Sequence, residues 1–147
     1  MHRFIVAIIL VLLIVTQFDN ASAFYSVRPI VGVFKDADAE SIAKLLSAAF
    51  DGNFMRIEAI SVYNHAANLK YRHENLSPTG THGLVIAQCI STAAVIGFVE
   101  VGLSKLTPGD EMAVPLIGNL VVSPEYRRRG IARSLLRSAE NLASRWG

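Results

Sequence analysis

The sequence predicts a mixed α/β (α+β) fold with the element order β-α-α-β-β-β-α, and three observations predict it. Residues 24–147 hold no internal repeat, low-complexity tract or Pro/Gly/Ser-rich linker, so one domain of ordinary size accounts for them. Short runs rich in β-branched residues alternate with stretches whose apolar residues recur at helical spacing. The last stretch is a strand, a tight turn and an amphipathic helix in direct succession.

Val27 to Phe34 suits the first strand, with Pro29 and Gly32 placing it near an edge or a bulge. Lys35-Asp36-Ala37-Asp38 offers cap residues for a helix whose Ile42, Leu45, Leu46, Ala49 and Phe50 share one face, and Asp51-Gly52-Asn53 stops it. A second helix is expected from Phe54 to Arg72 on the spacing of Ile57, Ile60, Ala67 and Tyr71, although Ser61, Val62 and Asn64 dilute its propensity. Pro78-Thr79-Gly80 is turn chemistry. Beyond it, Leu84 to Ala87 and Ala94 to Leu103 read as a hairpin joined through Ile90-Ser91-Thr92. After a loop at Thr107 to Glu111, Leu116 to Ser123 forms the fourth strand, bounded by Pro115 and Pro124. The final helix runs from Gly130 to Trp146. Ile131, Leu135, Leu136, Ala139, Leu142, Ala143 and Trp146 make its buried stripe, and Arg133, Arg137, Glu140 and Arg145 lie off it.

Residues 1–23 have a different character. Arg3 precedes an unbroken apolar run from Phe4 to Val15, followed by polar Asp19-Asn20 and by Ala21-Ser22-Ala23, the layout of a secretory signal peptide cleaved after Ala23. Those twelve residues would cover about 18 Å as a helix, short of a ~30 Å hydrocarbon core, so no stable membrane anchor is expected after cleavage. Ala21-Ser22-Ala23-Phe24 also resembles the junction in bipartite presequences of algae with complex plastids. That resemblance implies plastid delivery, whereas the acidic Asp36, Asp38 and Glu40 that soon follow suit secretion or an endomembrane lumen.

Composition excludes several function classes. Lys+Arg 14 against Asp+Glu 12 leaves a net charge of +2, too little to argue for nucleic acid. One cysteine, Cys89, rules out an internal disulfide framework and a Cys-based zinc cluster. Neither Gly-x-x-x-x-Gly-Lys-Ser/Thr nor Gly-x-Gly-x-x-Gly occurs, so nucleoside triphosphate and dinucleotide folds lose support. His65, His73 and His82 lack metal-ligand spacing and read as surface or loop residues; no metal is expected.

The chemistry concentrates between Leu120 and Arg133. A helix that begins after Gly130 leaves its first four N–H groups without intrahelical partners, and the helix dipole adds about half a positive charge there, so anions bind at that end. Gly130 lets a phosphate approach the backbone, and Ala132 is small enough for close fit. Arg127, Arg128, Arg129 and Arg133 surround the same point with forked donors. The same arginines would also serve as a solvated surface, a nucleic-acid contact or a nuclear localisation patch, the last being at odds with a secretory leader.

At these residues the sequence resembles the GCN5-related N-acetyltransferase (GNAT) superfamily. Arg127-x-x-Gly130-x-Ala132 matches its acetyl-CoA motif and Leu120-x-Val122-x-Pro124 the strand end before it. The resemblance spans residues 27–147 and implies the acyl-CoA N-acyltransferase fold, a mixed, largely antiparallel sheet flanked by helices. It implies that the backbone of Leu120, Val121 and Val122 holds the pantetheine arm and thioester of acetyl-CoA, on a strand splayed by a bulge. N–H groups of Arg128, Arg129, Gly130, Ile131 and Ala132 would take the pyrophosphate, and Arg129 or Arg133 the ribose phosphate. The implied activity is acetyl transfer to a primary amine: a protein N-terminus, a lysine or a small amine.

No general base or acid is assigned. Glu100 is a candidate base but also reads as an outward-facing strand carboxylate; Asn119 would orient water or substrate, or make a cross-strand hydrogen bond; Cys89 reads as a half-buried strand end. Family members continue past the motif helix with a further strand, a helix often bearing an acid tyrosine, and two more strands. The sequence is therefore expected to be an incomplete domain, lacking those strands, with a naturally short form completed by a partner as the alternative. A non-catalytic acyl-CoA-binding module is the rival functional reading.

Overall fold

A computed structural model describes residues 24–31, 34–50, 58–76, 80–105, 107, 109 and 111–146. The expected signal peptide, the predicted stop at residues 51–53 and the first residues of the predicted second helix lie outside them. The described elements are β1 (Tyr25–Pro29), α1 (Asp36–Phe50), α2 (Glu58–Leu76), β2 (His82–Cys89), β3 (Val95–Ser104), β4 (Val114–Val122), a 3-10 turn (Pro124–Tyr126) and α3 (Ile131–Ala143). The predicted order holds. The four strands lie in sequence order β1-β2-β3-β4, and every pairing among them is antiparallel. No parallel pair that would make the sheet mixed occurs among the described residues.

β1 begins two residues before the prediction and ends at Pro29, which lacks the N–H to continue a ladder. One more bond, Ile30 N–H to Leu84 O at 2.8 Å, carries the chain off the sheet. α1 carries Asp36 and Asp38 in its first turn, where the helix dipole favours them. Its buried face is Ala39, Ile42, Ala43 and Leu46. Ala49 and Phe50, expected on that face, are exposed. In α2 the expected stripe is on the wrong side: Tyr71 is 67% exposed and Leu69 fully buried. Leu69, Ala66 and His73 turn toward α1 and the sheet, a face too mixed in polarity to declare itself by apolar spacing.

β2 and β3 form the predicted hairpin, closed by Cys89 N–H to Ala94 O and Ala93 N–H to Cys89 O, both 2.8 Å. Pro115 sits inside β4, tolerated because β4 is an edge strand among the described residues. The sheet has two covered faces. α1 and α2 pack over Ile30, Leu84, Ile86, Phe98 and Val121, and α3 sets Ile131, Leu135 and Ala139 against Val85, Ala87, Ile96, Val99 and Val101. α3 approaches closely because Gly97 has no side chain: a Cβ there would lie 3.1 Å from Leu135 Cδ1 and 3.2 Å from Val121 O.

Candidate functional site

Between β3 and β4 the register passes from Phe98↔Val121 to Glu100↔Gly118. Two β4 residues, Asn119 and Leu120, therefore oppose the single residue Val99, which makes a β-bulge. Asn119 takes a left-handed conformation at φ 53°, which asparagine tolerates better than most residues. The bulge expected near Leu120 is present, and it bends the strand just before its last residues.

Beyond Val122 the chain makes the Pro124–Tyr126 turn and enters α3 through Arg128 at φ 64° and Gly130 at φ 79°. Positive φ at alternate residues turns successive N–H groups to one side, the geometry of an anion nest. Gly130 is the N-cap of α3 and supplies no side-chain cap, so the helix's opening N–H groups have no capping side chain to accept from them. A Cβ built on Gly130 would meet nothing within 4 Å.

The strand end, the turn and the helix start enclose a cleft of about 590 Å³ lined by Leu120, Val121, Val122, Tyr126, Arg127, Arg128, Gly130, Ile131 and Ala132, together with Ala49 and Phe50 from the end of α1. Eight of the ten residues singled out in the sequence line it. Arg129 and Arg133 are not among its lining residues. Arg129 lies over the rings of Phe24 and Tyr126, 5.4 and 5.7 Å from their centroids, where the ring faces attract its charge. Arg127 also departs from a purely outward role: its Nε donates to Val122 O at 3.0 Å, binding the turn to the strand end and occupying that carbonyl. Ala49, Phe50 and Tyr126 were missed. Phe50 is distant in sequence, and its 59% exposure on an otherwise amphipathic helix end becomes meaningful only when the cleft is seen.

Glu100 is not the outward-facing strand carboxylate of the sequence reading. It is 7% exposed and points to the α1/α2 side, where Arg72 donates to both its oxygens, Nε at 2.6 Å and Nη2 at 3.1 Å. His82 Nε2 lies 2.7 Å from the same oxygen as Arg72 Nε, and Asn119 Nδ2 donates to the other at 2.7 Å. Burial pushes the carboxyl up, but the hydrogen bonds from His82, Arg72 and Asn119 and the Arg72 charge outweigh it and hold Glu100 down at about 2. A carboxylate so held is a weak proton acceptor at neutral pH. His73 and His82, expected at the surface, are both buried. Of the two roles open to Asn119, the structure has the cross-strand hydrogen bond. Cys89 is buried at the end of β2. Hydrogen bonds at its sulfur, led by Ser91 at 3.3 Å and then Thr92, hold its thiol down at about 7.

A strand bulge, an uncapped helix N-terminus behind a glycine turn and a four-stranded antiparallel sheet flanked by helices define the acyl-CoA N-acyltransferase fold. Residues 81–147 match the family model of the acetyltransferase (GNAT) domain. Solved acetyltransferases share the fold. A GCN5-related N-acetyltransferase from Ralstonia eutropha is 21% identical with a TM-score of 0.59, the alignment covering 82% of this chain and 77% of that one. The ribosomal-protein-alanine N-acetyltransferase of Brucella melitensis is 16% identical, TM-score 0.56, covering 82% and 72%. An aminoglycoside N-acetyltransferase solved in complex with CoA is 16% identical, TM-score 0.57, covering 84% and 71%. No curated protein sequence matches the chain. The C-terminal part of the chain, residues 81–147, is thus similar to the acetyltransferase (GNAT) domain, and the chain as a whole shares the fold of solved N-acetyltransferases.

Proposed function

We propose that this chain binds acetyl-CoA in the β4–α3 cleft and transfers the acetyl group to a primary amine: a protein N-terminus, a lysine or a small amine. The observation that carries the reading is the meeting, in one cleft of about 590 Å³, of the bulged strand end with the open N-terminus of α3. The residues fit the cofactor. The space over Gly130 is open, with nothing within 4 Å of where a Cβ would stand, so a diphosphate can approach the backbone there. N–H groups from Arg128 to Ala132 supply its donors, and the guanidinium groups of Arg127 and Arg128 its countercharge. Leu120, Val121 and Val122, on an edge among the described strands, offer main-chain groups to the pantetheine arm in the manner of an added strand. The bound acetyl thioester would supply an activated acyl carbon; a β4 N–H aimed at its oxygen would stabilise the negative charge that grows when the amine attacks.

The acetyltransferases of this fold named above are, by their names, a ribosomal-protein-alanine and an aminoglycoside N-acetyltransferase. Both names imply amine acceptors, which supports the class of substrate without choosing within it. A second reading, a non-catalytic acyl-CoA-binding module, is favoured by one observation: Glu100, the candidate base on β3, is engaged by Arg72, His82 and Asn119.

Calorimetry with CoA tests the shared premise. Gly130→Glu should weaken CoA binding by about a hundredfold or more, through bulk and charge in an anion seat, while Arg145→Ala, in the exposed turn after α3, should change it little. Equal affinities in the two variants would remove the cleft assignment. A thiol-release assay with acetyl-CoA and a panel of peptides and polyamines separates the enzyme from the binding module, since only the enzyme turns over.

We further propose that residues 1–23 deliver the chain to the secretory pathway, with plastid delivery in an alga with complex plastids as its extended form. Phe24 already belongs to the fold: its carbonyl accepts from Ile90 N–H at 2.9 Å and its ring packs on Tyr25 and Tyr126. That supports cleavage after Ala23 and weighs toward secretion or a lumen, because a transit segment starting at Phe24 would have to be drawn out of the sheet. A fluorescent fusion of residues 1–40 that stays in the cytosol would exclude both destinations.

A further inference from the structure

The Glu100 cluster joins three elements to the bulge. Arg72 comes from α2, His82 from β2 and Asn119 from β4, and all three converge on one carboxylate. A buried charge persists only where it is paired and hydrogen-bonded, so Glu100 cannot leave this position without breaking its two hydrogen bonds from the Arg72 guanidinium. Its cross-strand neighbour is Gly118, the last residue of β4 before the bulge. Asn119, the next residue, bonds the carboxylate from its left-handed backbone. The bulge is a register decision. Without it, β4 would pair in regular alternation, and the residues beyond would present their opposite faces.

We infer that Glu100, anchored by Arg72 and His82, is a positioning residue: through its hydrogen bond to Asn119 it fixes the β4 bulge and so sets the main chain of Leu120, Val121 and Val122 in the cleft. The inference rests on the reading of that cleft as the acyl-CoA seat, but the bulge itself can be watched without any ligand. The buried carboxylate acts on the cofactor's strand at a distance. It is not asked to touch the reacting atoms or to move a proton.

The test uses Asn119→Asp, which sets a second carboxylate against Glu100, and the double variant Asn119→Asp with Glu100→Gln, in which the new amide donates to the new carboxylate and restores the pair in reverse. Two readouts are taken on the full chain: hydrogen exchange of the Leu120, Val121 and Val122 amides in the free protein, and CoA affinity by calorimetry. The single variant should speed exchange at those amides relative to β2 and weaken CoA by about tenfold, the scale of one charge-assisted hydrogen bond. The double variant should recover most of both. Unchanged exchange in Asn119→Asp, or no recovery in the double variant, would overturn the inference. If instead exchange responds as expected while Gly130→Glu binds CoA as well as the unmodified chain, the clamp stands and the cleft's assignment falls.

Discussion

The two faces of the sheet are built on different principles. Under α3 the interface is dry: Val85, Ala87, Ile96, Val99 and Val101 meet Ile131, Leu135 and Ala139, and Gly97 brings the helix in close. Under α1 and α2 an equally buried core of Ile30, Phe34, Ile42, Leu46, Leu69 and Phe98 also contains His73, His82 and Glu100. The dry face owes its strength to area and fit. The other adds a buried charge whose desolvation must be offset by four hydrogen bonds. One face holds the α3 N-terminus in place, and the other holds the strand that leads to it.

That comparison breaks most easily on the dry side. Leu135 is fully buried in the middle of the α3 interface, so Leu135→Ala should cost about 3 kcal/mol from lost transfer energy and an unfilled cavity. Thermal unfolding should show a drop in Tm of roughly 10 °C, scaled from the unfolding entropy of a domain of this size. The loss should be nearly independent of pH, because no titratable group belongs to that cluster apart from the strand-end Cys89 and the partly buried Tyr25 and Tyr126 at its margin. A loss below about 1 kcal/mol would mean that α3 is not docked by this stripe.

The polar face should respond to acid instead. The Glu100 carboxyl is held at about 2, below its ordinary 4.5. A lowered folded-state value gives stability that is complete above about 4.5 and is lost as pH falls toward 2, amounting to about 3 kcal/mol at most. Glu100→Gln should therefore be less stable than the unmodified chain at pH 6, and the two urea-unfolding curves should converge as pH falls to about 2.5. A gap that stays constant across this range would show that the carboxylate's charge is not what the cluster recognises.

How legible each face was follows from the same difference. The stripe of α3 is local: Ile131, Leu135 and Ala139 announce themselves at four-residue spacing, and structure buries them. The strand end, the turn and Gly130 are likewise contiguous, and their residue types state their own backbone needs. The polar cluster draws on positions 72, 82, 100 and 119, and nothing within a local window relates them. Glu100 read as an outward-facing carboxylate, but a strand with both faces covered has no outward side. Phe50 and Tyr126 reach the cleft for a similar reason: their roles arise from how α1 and the Pro124–Tyr126 turn are packed, not from their own neighbours.

The smallest expected effect sharpens the point, because it concerns a residue that spacing placed in the core. Tyr71 was expected on the buried stripe of α2 and is 67% exposed, while Leu69, two residues earlier and off that stripe, is fully buried. Residues two apart on a helix point some 200° from each other by the ~100° step per residue, so the two readings of α2 are nearly opposite rotations and cannot both hold. Tyr71→Ala should change stability by no more than about 0.5 kcal/mol, as exposed substitutions do, and Leu69→Ala should cost about 3 kcal/mol. The ratio of the two losses in urea unfolding measures the rotation of α2 directly. It also bears on Glu100, since Arg72 lies next in sequence to Tyr71 and reaches the carboxylate only in the rotation that buries Leu69; a costly Tyr71→Ala would turn Arg72 away and leave the buried charge without its main partner.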